Sequence, residues 1–233
     1  MALILLPVPI GVADPAWMPP VVIEYYRTLD YFIVEQVRTA RRTLKAFDPD
    51  IDIDRITFFE LDKHQRQDPM LLLAPARAGH DIGLMSESGL PGVADPGGFI
   101  VAAAHRMGIQ VMPLPGPSSL MLAMMGSGMN GQDFRFHGYL PAKRPALLQA
   151  IQSLARETDR HQTAHLFIEA PYRNVALYQA FLEGLSATTG LCLAVNLGLP
   201  GGWVRSQPVQ AWKNETHPDL HKQLCVFVIG KLL

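Results

Sequence analysis

Short apolar runs recur through the first half of this chain, at residues 2–6, 31–34, 56–59, 81–85 and 109–112, separated by Pro/Gly loops and helix-like stretches. Parallel strands need long, usually helical, crossovers, so this alternation predicts a parallel α/β sheet rather than a sandwich of hairpins. Helices are expected from Glu35 through Phe47 and over 68–79, 99–107 and 118–125, the last opening on a serine cap. The Gly/Ser/Asn-rich stretch 126–131 reads as a linker. Beyond it, strands are expected at 134–140, 165–168, 191–195, 203–212 and 224–229, with helices at 146–157 and 174–185. The fold class is therefore two α/β domains, residues 1–127 with a mostly parallel sheet and 128–233 with a mixed, more antiparallel one. A small-molecule cleft is expected between them.

Composition narrows the setting. The apolar run at 2–6 is far shorter than the ~20 residues of a membrane span. No Lys or Arg precedes it and Pro7 and Pro9 cut it off, so neither a membrane segment nor a signal peptide is expected. Cys192 and Cys225 sit inside apolar runs and are expected to be buried thiols in a reducing cytoplasm. With 20 Lys+Arg against 21 Asp+Glu the net charge is −1, which argues against a surface given over wholly to nucleic acid.

Segment 86–98, Ser-Glu-Ser-Gly-Leu-Pro-Gly-Val-Ala-Asp-Pro-Gly-Gly, places four glycines, two prolines and two carboxylates at a strand end. Glycines let a ligand approach the backbone and prolines stiffen the loop, so it is either a ligand loop at the carboxyl end of a parallel strand or a structural turn. Segment 113–119 ends a strand and opens a helix, where Ser118 or Ser119 either caps or faces a ligand. Neither loop matches a dinucleotide fingerprint or a phosphate loop, and no nucleophile elbow is present. His161 and His165 lead into a strand, which does not place them on one helix face, so no metal site is expected. Arg38, Arg41, Arg42 and Lys45 share a helical face, and Arg135, His137, Lys143 and Arg144 form a second basic group. Each is either a solvated face or a patch for an anionic substrate. Trp203 and Trp212 flank a strand and read as packing residues.

Leu6-Pro7-Val8-Pro9-Ile10-Gly11, segments 86–98 and 113–119, Gly138-Tyr139-Leu140-Pro141-Ala142-Lys143, Phe167-Ile168-Glu169-Ala170-Pro171-Tyr172-Arg173 and segment 226–230 occur in this order. Together they resemble the tetrapyrrole methylase superfamily, whose members use S-adenosylmethionine. Within it they are most similar to the ribosomal RNA small-subunit methyltransferase I branch, which methylates a cytidine ribose 2′-hydroxyl during rRNA processing. The resemblance implies a homodimer with a cofactor, released as S-adenosylhomocysteine, in the cleft between the domains. It implies cofactor contacts from Ile10, from Ser88, Gly89, Leu90, Val93 and Asp95, from Ser118 and Ser119, and from Glu169 and Gly230. Glu35 is the expected base, with Arg38 and Lys143 orienting an anionic acceptor, either RNA or a small molecule.

The chain also departs from the branch. It reads Glu35-Gln36-Val37-Arg38 where the branch has an acidic pair before Thr-Arg. It reads Asn196-Leu197-Gly198-Leu199-Pro200 where the branch has a charged run, and Gly11-Val12-Ala13-Asp14-Pro15 in the first loop. It is expected to lack the branch's C-terminal extension. A different acceptor, such as a tetrapyrrole, or a non-catalytic module that binds the cofactor, stays open on these grounds.

Overall fold

A computed structural model describes residues 1–62 and 66–233. The chain divides into two compact units, Met1–Ser118 and Ser119–Leu233.

Unit 1 contains β1 (Ala2–Leu5), α1 (Pro20–Thr28), β2 (Tyr31–Val34), α2 (Val37–Phe47), β3 (Thr57–Glu60), α3 (Pro69–Leu72), α4 (Ala74–Arg77), β4 (Ile82–Met85), α5 (Gly98–Arg106) and β5 (Gln110–Pro113). Its sheet has the order β3-β2-β4-β1-β5 and every pairing is parallel. The period of two along each strand sorts the side chains. Ile4, Phe32 and Val34 pack with Val22, Tyr26, Leu44 and Phe47 of α1 and α2, whereas Leu3, Ile33 and Leu84 pack with Leu72, Ala76, Ile100 and Ala104 of α3–α5. Gly83 lies in the middle of this sheet because a Cβ there would come within 2.6 Å of Leu6 Cδ1.

Unit 2 contains α6 (Ser119–Ser127), β6 (Phe134–Phe136), α7 (Arg144–His161), β7 (Ala164–Ile168), α8 (Asn174–Gly184), β8 (Gly190–Val195), β9 (Trp203–Pro208), α9 (Val209–Lys213) and β10 (Cys225–Gly230). Its sheet runs β6-β7-β10-β8-β9, parallel between β6 and β7 and antiparallel elsewhere. One face packs Phe167, Leu193 and Phe227 against α7, α8 and α9, and the other packs Leu166, Cys192 and Val228 against α6. The two thiols are free and buried, on β8 and β10.

Four local expectations change. The stretch 68–79 is two short helices, because Leu73 leaves helical geometry (φ −92°, ψ 6°) two residues before Pro75. The expected strand 203–212 ends at Pro208 and turns into α9, which buries Trp212 with its Nε1–H donating to Leu191 O at 2.8 Å. The strand expected over 134–140 stops at Phe136, and α1 over Pro20–Thr28 had no apolar signature strong enough to announce it. The expected boundary at 127/128 falls one helix later than the division seen here. The apolar residues Leu120, Ala123 and Met124 of α6 belong to the core of the second sheet.

Candidate functional site

In unit 1, β1 and β4 are neighbours, but the chain leaves β1 toward β2 on one side and leaves β4 toward β5 on the other. Loops that part at such a switch point, at the carboxyl ends of parallel strands, form the crevice where ligands of open α/β sheets bind. Here they are tied together before they part. Val8 N–H donates to Gly89 O at 2.7 Å and Gly89 N–H to Val8 O at 2.9 Å, a two-rung bridge. Ser88 Oγ donates to Pro9 O at 3.3 Å, and the buried Tyr26 hydroxyl to Pro7 O at 3.0 Å. Gly89 holds φ +72°, and a Cβ there would lie 3.6 Å from Ile10 Cγ2 and 3.8 Å from Pro117 O. Gly116 is closer still to its neighbour, since a Cβ would sit 2.1 Å from Pro7 Cβ. The loops after β1, β4 and β5 are thus one interlocked surface, and the two glycines are what let the backbones meet.

Of the cofactor residues implied by resemblance, Ile10, Ser88, Gly89, Leu90, Val93 and Asp95 all lie on these loops, with Ser118 at their end. Val93 is 45% exposed and Ile10 and Leu90 are half-buried, so the loops offer apolar surface as well as the Asp95 carboxylate. Ser119 is the first residue of α6 and Ser118 is buried before it.

Three carboxylates gather at the same edge. Glu35 follows β2 and Glu87 follows β4, its neighbour in the sheet, and Glu87 N–H donates to Glu35 Oε2 at 3.3 Å. Burial pushes the Glu35 carboxyl above its ordinary value; the Glu87 N–H opposes this and the Glu87 charge adds to it. Asp95 is pushed up to about 6, first by burial and then by the Glu35 charge, against a hydrogen bond from Ser86, with Glu87 adding a further push. Thr39 Oγ1 lies 2.8 Å from Gln36 Oε1 and 3.1 Å from Glu87 Oε1, so the Gln36 that replaces an acid in the branch is built into this network. Glu87, Thr39 and Ser86 were missed as partners. Glu87 stood in the unusual loop, but nothing in the chain announces a bond across 52 residues.

Part of each basic group is engaged within the fold. Arg41 lies over the Phe58 ring at 5.7 Å, and Lys45 Nζ donates to Pro49 O at 2.9 Å and Ile51 O at 2.8 Å, closing the end of α2. That leaves Arg38 and Arg42 exposed without an ion pair among the described residues. In unit 2, Arg135 pairs with Glu157 at 2.6 Å, Arg144 with Glu183, and His137 Nε2 lies 2.9 Å from His165 Nδ1. Lys143 alone of that group is exposed and free of an ion pair among the described residues.

Also in unit 2, Glu169 is buried at the end of β7, with Oε2 3.2 Å from Arg173 Nη2 and Oε1 accepting from Ala170 N–H at 2.8 Å. Gly230 lies in β10, where a Cβ would come within 2.8 Å of Met129 Sδ, so packing already accounts for its missing side chain. Asn196, in a departure from the branch, holds the start of β10: its Oδ1 accepts from Leu224 N–H at 3.0 Å. Among the described residues, no three His, Cys, Asp or Glu side chains could hold a metal together, and no helix is long and apolar enough to cross a membrane.

Residues 5–200 match the family of tetrapyrrole (corrin/porphyrin) methylases. A ribosomal RNA small subunit methyltransferase I of Synechocystis sp. is 35% identical over 68% of this chain and 54% of its own length. One of Escherichia coli O157:H7 is 30% identical over 98% of this chain and 77% of its own length. Against the relatives from Synechocystis, Vibrio cholerae and Micromonospora olivasterospora, the chain spans about half of the relative, 54–56%. Among solved structures, the uroporphyrin-III C-methyl transferase of Thermus thermophilus, complexed with S-adenyl homocysteine, aligns over 100% of this chain and 98% of its own at TM-score 0.60 and 18% identity. The methyltransferase CobJ aligns over 99% and 95% at TM-score 0.63 and 15% identity. The two-domain α/β fold is therefore shared with these structures.

Proposed function

This chain belongs to the tetrapyrrole (corrin/porphyrin) methylase family, and from that premise we propose that it is an S-adenosylmethionine-dependent methyltransferase whose acceptor is a ribose hydroxyl of small-subunit ribosomal RNA. The observation that carries this reading is the interlocked loop surface at the β1/β4 switch point. It combines backbone brought close by Gly89 and Gly116, the apolar surface of Ile10, Leu90 and Val93, and the Asp95 carboxylate. That donor set fits the ligand: adenine favours an apolar wall, while ribose hydroxyls and a cationic amino-acid portion favour a carboxylate. Ser88, Ser118, Ser119, Glu169 and Gly230 complete the proposed contacts. The names of the relatives support the RNA acceptor.

When bound, S-adenosylmethionine supplies a methyl group made electrophilic by its sulfonium. The chain's own part is to position the acceptor, exclude water and take up a proton. We assign the proton to Glu35, whose raised pKa makes it a better base than an ordinary glutamate and whose Oε2 is aimed by the Glu87 N–H. Arg38 and Lys143, both exposed, are assigned to acceptor phosphates. The reading also includes a homodimer in the cytoplasm, supported by the family resemblance and testable by light scattering on purified protein.

Calorimetric titration with S-adenosylmethionine and S-adenosylhomocysteine tests the cofactor. Micromolar binding, lost in Gly89→Leu and Ser118→Trp, is expected, and no binding to either ligand by the unmodified protein would end the reading. Glu35→Gln should cut turnover while leaving cofactor affinity unchanged; undiminished turnover would remove Glu35 from the mechanism. The pairing of Arg41, Lys45, Arg135 and Arg144 within the fold favours a second reading, in which the acceptor is a small molecule such as a tetrapyrrole. Salt separates the two, since RNA binding weakens steeply as salt rises and binding of a neutral acceptor does not.

A further inference from the structure

We propose that one edge of the unit 2 sheet is a stacking platform for a single-stranded segment of RNA, formed by Tyr139 and Tyr172 with Lys143 and Lys222. The ligand class rests on the RNA reading above; the placement comes from unit 2 alone. β6 and β7 are parallel, so the chain leaves both at the same edge, toward Tyr139 in one case and Tyr172 in the other. The two exits are fastened together, with His137 N–H donating to Leu166 O at 3.0 Å and Ile168 N–H to Gly138 O at 3.1 Å. β10 is antiparallel to β7, with Val226 opposite Ile168, so the turn that precedes β10 reaches this edge too. There Lys222 N–H donates to Pro171 O at 3.1 Å, which sets Lys222 beside the Tyr172 backbone.

The aromatic side chains on this edge face water. Tyr139 is 66% exposed and Tyr172 69%, and among the described residues neither ring makes a hydrogen bond or a ring contact. Rings this exposed contribute little buried area to the fold and are free to offer their faces to a ligand. The cations are equally uncommitted. Lys143 and Lys222 are exposed and lack ion pairs among the described residues, whereas Arg144 and Arg173 are held by Glu183 and Glu169. Asp219, on the turn before Lys222, accepts from the His221 N–H at 3.0 Å. Lys222 itself is held at φ +59°, a left-handed backbone that a non-glycine residue adopts only where its surroundings impose it.

Open rings beside free lysines suit a strand of nucleotides better than a macrocycle. A small ligand is held in a concavity that covers most of its surface, while single-stranded RNA lies on open surface, its bases stacked on aromatic rings and its phosphates near cations.

The test is fluorescence anisotropy with a short single-stranded oligoribonucleotide of mixed sequence, run beside calorimetry with S-adenosylhomocysteine on the same preparations. Tyr139→Ala and Tyr172→Ala should each weaken RNA binding about five- to hundredfold, with cofactor affinity and circular dichroism unchanged. Tyr→Phe at either site should bind as the unmodified protein does. Lys222→Ala should flatten the log–log salt slope by about 0.7. Unchanged RNA affinity in both alanine variants, while the cofactor still binds, would overturn the platform and leave the methyltransferase reading standing. Tyrosine-dependent RNA binding without any cofactor binding would sustain the platform and sink that reading. Equal losses in the alanine and phenylalanine variants, or tyrosine-dependent binding of uroporphyrin in place of RNA, would overturn the assignment.

Discussion

Asp95→Asn should make the protein more stable at neutral pH while weakening its hold on S-adenosylmethionine. The Asp95 carboxyl rises from an ordinary 3.8 to about 6 because it is half-buried beside Glu35 and Glu87. Between those two values the folded protein binds more protons than the unfolded chain, so this group's contribution falls as pH rises through the window and stays unfavourable above it. At 1.36 kcal/mol per pH unit the full cost of charging Asp95 at pH 7.5 is about 3 kcal/mol. Water reaches the carboxylate, and screening leaves roughly half of that, about 1.5 kcal/mol. Asparagine keeps the shape and cannot charge. For a chain of 233 residues the gain corresponds to about 3–6 °C in Tm. Differential scanning calorimetry at pH 7.5, 6, 5, 4 and 3 should show the advantage shrinking below about pH 6 and vanishing near pH 3, where aspartic acid is neutral in the folded and in the unfolded chain. A variant no more stable than the unmodified protein at pH 7.5, or equally advantaged at pH 3, would refute the account of the three carboxylates.

Two further outcomes follow from packing and from the buried histidine. Gly116→Ala would place a methyl group 2.1 Å from Pro7 Cβ, so urea denaturation should show a loss of about 1–3 kcal/mol, with loss of S-adenosylhomocysteine binding in calorimetry. Burial and the neighbouring His137 push His165 down to about 4, and its Nε2 is buried without a hydrogen-bond partner among the described residues. A histidine kept neutral in the fold loses stability as pH falls from about 6.5 toward 4, so acid should expose Trp212, buried in the same unit, and redden its fluorescence across that range. His165→Leu should abolish this transition, and an unchanged acid transition would show that another group drives it.

The sheet of unit 1 was legible because its strands carry apolar residues on both faces. A strand buried between two layers of helices reads as a continuous run such as Ala2–Leu5 or Ile82–Met85, and the prolines and glycines after each run marked where the loops would meet. α1 was less legible, since only Val22, Ile23 and Tyr26 of its nine residues are buried. The turn from β9 into α9 was also hidden: Trp212 looked like the end of a strand until Leu191 O was there to receive its N–H. Local sequence therefore determined most element types and the character of the loop that carries Gly89 and Asp95, and the family resemblance pointed to Glu35. Only the tertiary structure decided what surrounds them. Glu35 meets Glu87, and both charges act on Asp95, because β2 and β4 are paired in the sheet; burial and neighbouring charge, each of which shifts a carboxyl, exist only once the chain is folded. The same holds for the cations. Arg41, Lys45, Arg135 and Arg144 look alike along the chain, but folding brought a ring, two carbonyls and two carboxylates to meet them, while among the described residues Arg38, Arg42, Lys143 and Lys222 are exposed without an ion pair.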